Sequence, residues 1–199
     1  MSSTIRHLAF VTASLAGLAP AAAQAPVGTP PPLPPRVGLE GGVGLYGGEI
    51  NCEDQAGDFC DGVTEAGGLD VHVTYMFTPR LGAMLDVWPM VHSENNWTFT
   101  HNVVTVGVKW RPAPIFTLTA GVGSAQARLR YETLGLEGRS EVASAVLLAA
   151  AVDVVRGRRW AIDVEGRIGA GFYGADKDND GNPDVVGRNV GLGVAMTWW

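Results

Sequence analysis

From Val37 onward, apolar and polar residues alternate with a period of two, and the apolar positions are rich in Val, Leu and Ile among many glycines. A period of two places successive side chains on opposite faces of an extended strand, whereas a helix would need apolar residues every three to four positions. Eight stretches carry the pattern, at 37–48, 68–77, 81–91, 98–110, 115–127, 141–155, 159–173 and 187–199. In the second, Leu69, Val71, Val73, Tyr75 and Phe77 oppose Asp70, His72, Thr74 and Met76. In the third, Leu81, Ala83, Leu85 and Val87 oppose Gly82, Met84, Asp86 and Trp88. The fourth sets Val104, Val106, Val108 and Trp110 against Thr105, Gly107 and Lys109, and the seventh sets Trp160, Ile162, Val164 and Ile168 against Asp163, Glu165 and Arg167.

The connections alternate in kind. Those after the second, fourth and sixth stretches are tight: Thr78-Pro79-Arg80, Arg111-Pro112-Ala113-Pro114 and Arg156-Gly157-Arg158. Those after the first, third, fifth and seventh are longer or more polar: 49–67, 92–97, 128–140 and 174–186. Short turns on one side and longer loops on the other are the asymmetry of a closed transmembrane barrel, for which eight strands is the smallest usual number. A polar half-face of this density would be ruinous in a dry soluble core, so it must be solvated or internally paired. Periodicity does not say which face points inward; the aromatic residues do. Tyr75, Phe77, Trp110, Phe116 and Trp160 sit beside the short turns on the apolar face, with Trp198 at the same end, as in an interfacial girdle. Tyr46, Trp97, Phe99, Phe172 and Tyr173 are candidates for a second girdle near the long loops.

Ahead of this region, Arg6 and His7 precede an apolar run from Leu8 to Leu18 and the small residues Ala21-Ala22-Ala23-Gln24-Ala25. That order is the pattern of a cleavable secretory leader over 1–25. Residues 26–36 (PVGTPPPLPPR) read as a Pro-rich periplasmic linker, which cannot join a strand ladder. The domain reading is therefore leader 1–25, linker 26–36 and barrel 37–199. A net charge of −6 without basic stripes argues against a nucleic-acid partner. Hydrophobic content of 46% with 27 glycines suits a β protein and not a disordered chain. The two cysteines, Cys52 and Cys60, share one polar loop, where an exported protein would join them in a local disulfide.

Together the leader, the eight amphipathic segments, the short turns and the closing Val190-Leu192-Val194-Met196-Trp198 register resemble the OmpA/OmpX-type eight-stranded outer-membrane β-barrels. The resemblance covers about 160 residues and rests on pattern. It implies an all-β, antiparallel up-and-down transmembrane barrel in the cell outer membrane, contact with outer-membrane lipid, and a C-terminal aromatic read by the barrel assembly machinery. Trp199 falls one residue out of phase with the family's terminal pattern.

The inward face is expected to hold a charge network of Glu40, Asp70, His72, Asp86, Lys109, Asp163, Glu165 and Arg167, with Glu141 and Asp153 on the same face. The three-residue turn at 78–80 places His72 opposite Asp86, and a turn over 155–159 places Ala151 opposite Asp163. Eight strands enclose an interior just filled by side chains, so a paired plug is the expected state, with a proton-sensitive narrow pore using His72 as the alternative.

Asp176, Asp178, Asp180, Asn182 and Asp184, with Gly181 at the sharp turn, match the start of a calcium loop, although Gly187 stands where an EF-hand has its closing Glu. An acidic turn-forming loop explains the same residues. His92-Ser93-Glu94 invites a hydrolase reading, but neighbours on a strand point to opposite faces. The functional expectation is a non-enzymatic structural or surface-interaction protein acting through external loops on a surface partner. The alternatives are a lipid-modifying barrel enzyme, a narrow pore or a soluble periplasmic ligand-binding barrel.

Overall fold

The alternating stretches form strands in the computed structural model, which describes residues 35–54, 63–174 and 185–199. The strands are β1 (Gly38–Asp54), β2 (Val63–Met76), β3 (Leu81–Glu94), β4 (Trp97–Ala113), β5 (Phe116–Tyr131), β6 (Leu136–Arg139), β7 (Ala143–Arg156), β8 (Trp160–Tyr173) and β9 (Val185–Trp198). All pairings are antiparallel, in the ring order β1-β2-β3-β4-β5-β7-β8-β9, and β9 returns to pair with β1 from Gly41↔Trp198 to Asp54↔Val185. Closure leaves eight staves without a free edge in the ring. The seam requires small residues: a Cβ at Gly48 would stand 1.9 Å from the Val190 carbonyl oxygen, and one at Gly193 would stand 2.1 Å from that of Leu45.

Exposure settles which face is which. Leu45, Leu85, Val106, Leu148, Ile168 and Leu192 are each half or more exposed, while Asp70, Asp86, Glu40 and Arg167 are almost wholly buried. The inside is polar and the outside apolar, the inverse of a soluble barrel and the arrangement of one set in lipid. Among the described residues no helix is long and apolar enough to cross a membrane; the crossing elements are strands.

The three tight turns lie at one end. Thr78 Oγ1 accepts from the amides of Arg80 (3.2 Å) and Leu81 (3.0 Å), Phe77 N–H donates to the Leu81 carbonyl (2.9 Å), and Gly157 N–H donates to that of Trp160 (2.8 Å). At the opposite end two expectations change. The connection expected over 92–97 is a two-residue turn, Asn95-Asn96, both at positive φ (44° and 71°), the backbone of a type I′ hairpin, so β3 and β4 run further than their apolar patterns. The connection expected over 128–140 contains β6, which pairs with the projecting end of β5.

The His72↔Asp86 register is as the 78–80 turn requires. The β7–β8 register is not: Ala151 faces Glu165, and Asp163 faces Asp153. Strand β7 continues to Arg156, and an irregularity between Asp153 and Val155 inserts an extra residue, which shifts every pair counted from a turn at 155–159.

Candidate functional site

Seven of the eight lumen residues expected from sequence join one chain of contacts across the barrel. Arg111 donates bidentately to Glu40, at 2.8 and 2.7 Å. Lys109 Nζ lies 3.8 Å from Glu40 and donates to His72 Nε2 at 3.3 Å. His72 Nδ1 then donates to Asp70 at 2.8 Å. A lysine ammonium has only donors, so with Lys109 on Nε2 the ring proton that faces Asp70 is the one on Nδ1. Asp70 meets Arg167 Nη1 at 2.5 Å, and Arg167 also pairs with Asp86 and, at 3.0 Å, with Glu165.

The remaining expected residue, Asp163, belongs to a second cluster at the short-turn end. It accepts from Thr197 Oγ1 at 3.1 Å and faces Asp153, which pairs with Arg36. The Arg36 guanidinium lies 4.1 Å from the Trp199 ring centroid, so the out-of-phase tryptophan closes the lumen side of this end while Trp198 stays exposed outside.

Toward the long loops the lumen is filled mainly by apolar side chains, in a cluster that reaches past Asp86 to Met84 on the short-turn side, and the buried His101 and Asn189 also lie in this half. Tyr46, Ile50, Met84, Trp88, Met90 and Leu147 pack as one cluster, and Trp88, Met90 and Leu147 have no exposed surface. Arg167 joins the two layers, its guanidinium 5.1 Å from the Trp88 ring centroid and 5.4 Å from that of Tyr46. A cation over two aromatic faces while holding three carboxylates is favourable only in a desolvated, preorganised setting. On the other wall, Val103, Ala125, Ala143, Ala145 and Tyr173 form a second cluster, beside which His101 Nδ1 bonds Asn189 Oδ1 at 2.7 Å.

Asp70, His72 and Asp86 bring metal-ligating atoms within 4.8 Å of one another. Both carboxylates already hold Arg167, and His72 Nε2 faces Lys109, so resident cations occupy the places a metal would take. Glu141, expected inside, is exposed and accepts from the Gly174 amide at 3.1 Å. Arg36, Arg111, His101, Asn189 and Thr197 are lumen residues the sequence reading did not include. Arg111 carries a recoverable signal, since it continues the alternation of Lys109 by two positions.

Tyr75, Phe77, Trp110, Trp160 and Trp198 are exposed on the outer face and Phe116 is half-buried, with Tyr75 and Phe77 rings 5.5 Å apart. Tyr46 and Tyr173 turn inward and do not contribute to a second girdle. His92 Nδ1 donates to the Glu65 carbonyl at 2.6 Å, and Ser93 Oγ contacts Thr98 Oγ1 at 3.1 Å, so the two side chains serve different neighbours. The calcium-loop residues Asp176, Asp178, Asp180, Asn182 and Asp184, and Cys60, lie outside the described residues; Cys52 stands opposite Gly187 in the β1–β9 ladder.

Among solved structures the chain is similar to Ail, the attachment invasion locus protein of Yersinia pestis: TM-score 0.53, 14% identity, 81% of this chain and 100% of that one. Ail in complex with the heparin analogue sucrose octasulfate matches at TM-score 0.52 and 13% identity, over 81% and 100%. Neisserial surface protein A matches at TM-score 0.57 and 10% identity, over 79% and 95%. The chain has the fold of an eight-stranded outer-membrane β-barrel. No family model matches the sequence, and no curated protein matches it. In this fold the short turns face the periplasm and the longer loops the exterior. The barrel's charged layer is then periplasmic and its apolar layer external.

Proposed function

We propose that this chain is a non-enzymatic, non-conducting protein of the outer membrane, held by its lipid-facing band and acting through its external strand extensions on a surface partner. The observation that carries the reading is the layered lumen: Trp88, Met90 and Leu147 are completely buried across the external half, and Arg167 ties that layer to carboxylates on three strands. A permeation path needs solvated polar groups along its whole length; here the external half is filled by Trp88, Met90 and Leu147, its buried His101 and Asn189 bond each other, and the charged half is internally paired. Work on a partner then falls to the parts that project from the membrane, among them the β3–β4 hairpin and the β5–β6 extension. Ail and Neisserial surface protein A, an attachment protein and a surface protein by name, support the same class of role. Trp198, the last residue of β9 and exposed on the lipid face, suits recognition of that strand by the barrel assembly machinery. Acidic loop residues 176–184 are proposed to order around calcium, and Cys52 to pair with Cys60.

The test is conductance in a planar bilayer. The closed reading expects no discrete steps from the folded wild-type barrel; regular steps would refute it.

A further inference from the structure

The outer face of the β5–β6 extension carries three arginines against one carboxylate. Strand alternation puts Arg128 and Arg130 on the same face of β5 as the exposed Val122. Register pairs Arg128 with Arg139 and Arg130 with Glu137 across β5–β6, so all four side chains share that face. Glu137 is bonded by both Arg128 and Arg139. Arg130 is exposed and has no ionic partner among the described residues.

The height of this cluster is fixed by the neighbouring strand. Arg128 pairs with Thr100 of β4, and Thr100 lies ten positions along β4 from Trp110, the girdle residue at the periplasmic side. Ten residues of a strand rising about 3.4 Å each and tilted about 40° climb about 25 Å, the height of the apolar band. Between the two, Val104, Val106 and Val108 face outward and are exposed. In the same register row, Thr100 also pairs with Val91, the last outward apolar residue of β3. The arginines therefore stand where acyl chains end and headgroups begin. The opposite wall carries the other sign: Glu49 and Glu65, paired in register on β1 and β2, are exposed outward.

We propose that Arg128, Arg130 and Arg139 bind the phosphate of an anionic lipid in the outer leaflet, so that one side of the barrel selects its lipid neighbour. The arginine fork matches phosphate oxygens bidentately, and Glu137 preorganises two of the three guanidinium groups while leaving a net positive patch. Headgroup phosphate is favoured over a soluble sulfated glycan because the cluster lies at the edge of the lipid band on its lipid side, not on a loop tip. The inference rests on the membrane-barrel reading.

The experiment uses the folded full-length barrel in phosphatidylcholine vesicles containing spin-labelled phosphatidic acid or spin-labelled phosphatidylcholine. The motionally restricted fraction should favour phosphatidic acid by about fivefold, the ratio corresponding to about 1 kcal/mol of headgroup attraction, and salt should weaken the preference. R128Q/R130Q/R139Q should abolish it. Equal association of the two lipids with wild type, or a preference retained by the triple variant, would overturn the proposal. Heparin binding in detergent micelles, lost in the triple variant and unaccompanied by lipid preference, would reassign the patch to glycans and also overturn it. A wild-type barrel lacking heat-modifiable migration on a gel would refute the membrane reading itself, whereas intact migration without lipid preference refutes the patch alone.

Discussion

Arg167 on β8 and Asp86 on β3 form an ion pair across the full width of the lumen, on staves that stand opposite each other in the eight-strand ring. The same guanidinium holds Asp70 at 2.5 Å and Glu165 at 3.0 Å. One side chain thus fastens β2, β3 and β8 together at the level where the charged layer meets the aromatic one. Removing one partner of a buried pair costs about 3–5 kcal/mol, because the charge left behind is neither paired nor hydrated. Arg167→Met should therefore lower unfolding stability in urea by at least that range. Adding Asp70→Asn should recover part of the loss. A variant within about 1 kcal/mol of wild type, the level of an exposed ion pair, would show that the lumen network does not hold the barrel together.

Trp88 fills the external half of the lumen and supports Arg167 from above. Trp88→Ala should cost about 3–5 kcal/mol from the void it leaves. It should also introduce conductance steps absent from wild type, since the apolar layer is the barrier. Silence from a folded Trp88→Ala barrel would place the barrier in the charged layer instead.

The β3–β4 hairpin turns on Asn95 and Asn96, both in the left-handed region. Asn96→Gly should preserve the hairpin. Asn96→Val should destabilise it by about 1–2 kcal/mol, because a β-branched residue resists positive φ. Amide exchange in β3 and β4 next to the turn reports the difference, and equal protection in both variants would contradict the turn assignment.

The external extension carries its own pH dependence. Hydrogen bonds from Arg128 and Arg139 hold the Glu137 carboxyl below the usual carboxylate range. A depressed folded value means that the contribution to β5–β6 order is complete above the unfolded value of about 4.3 and is lost as pH falls through the folded one. Protection of the Leu136–Arg139 amides should fall on acidification below about pH 4 in wild type. In Glu137→Gln it should already be low and change little with pH; a parallel acid loss in that variant would assign the effect elsewhere.

Much of this architecture was legible because alternation reports the face of every residue once one face is known. The His72↔Asp86 pair could be counted from the sequence because Thr78-Pro79-Arg80 closes tightly on Leu81. The same counting misplaced Asp163, since the irregularity between Asp153 and Val155 has no signature in the hydrophobic pattern. Arg111 read as a turn residue because Pro112 follows it, yet β4 carries its alternation through to Ala113. Arg36 sat beside a proline run, and nothing local in sequence ties it to Asp153 and Trp199, both far along the chain. The division of the lumen into charged and apolar layers was not visible strand by strand. It emerges only when the stagger of the closed ring sets Trp88, Met90, Tyr46 and Leu147 against one another.

The central claim is that the exposed apolar face meets lipid and the charged face a closed lumen. Nitroxide labels at single cysteines along 104–110 of β4, in a Cys52→Ser/Cys60→Ser background reconstituted in vesicles, test it most directly. Labels at Val104, Val106, Val108 and Trp110 should collide often with oxygen and rarely with a water-soluble nickel complex, while labels at Thr105 and Lys109 should be shielded from both. Nickel collisions at Val104, Val106 and Val108 as frequent as those of a label at Asn95 would contradict the account.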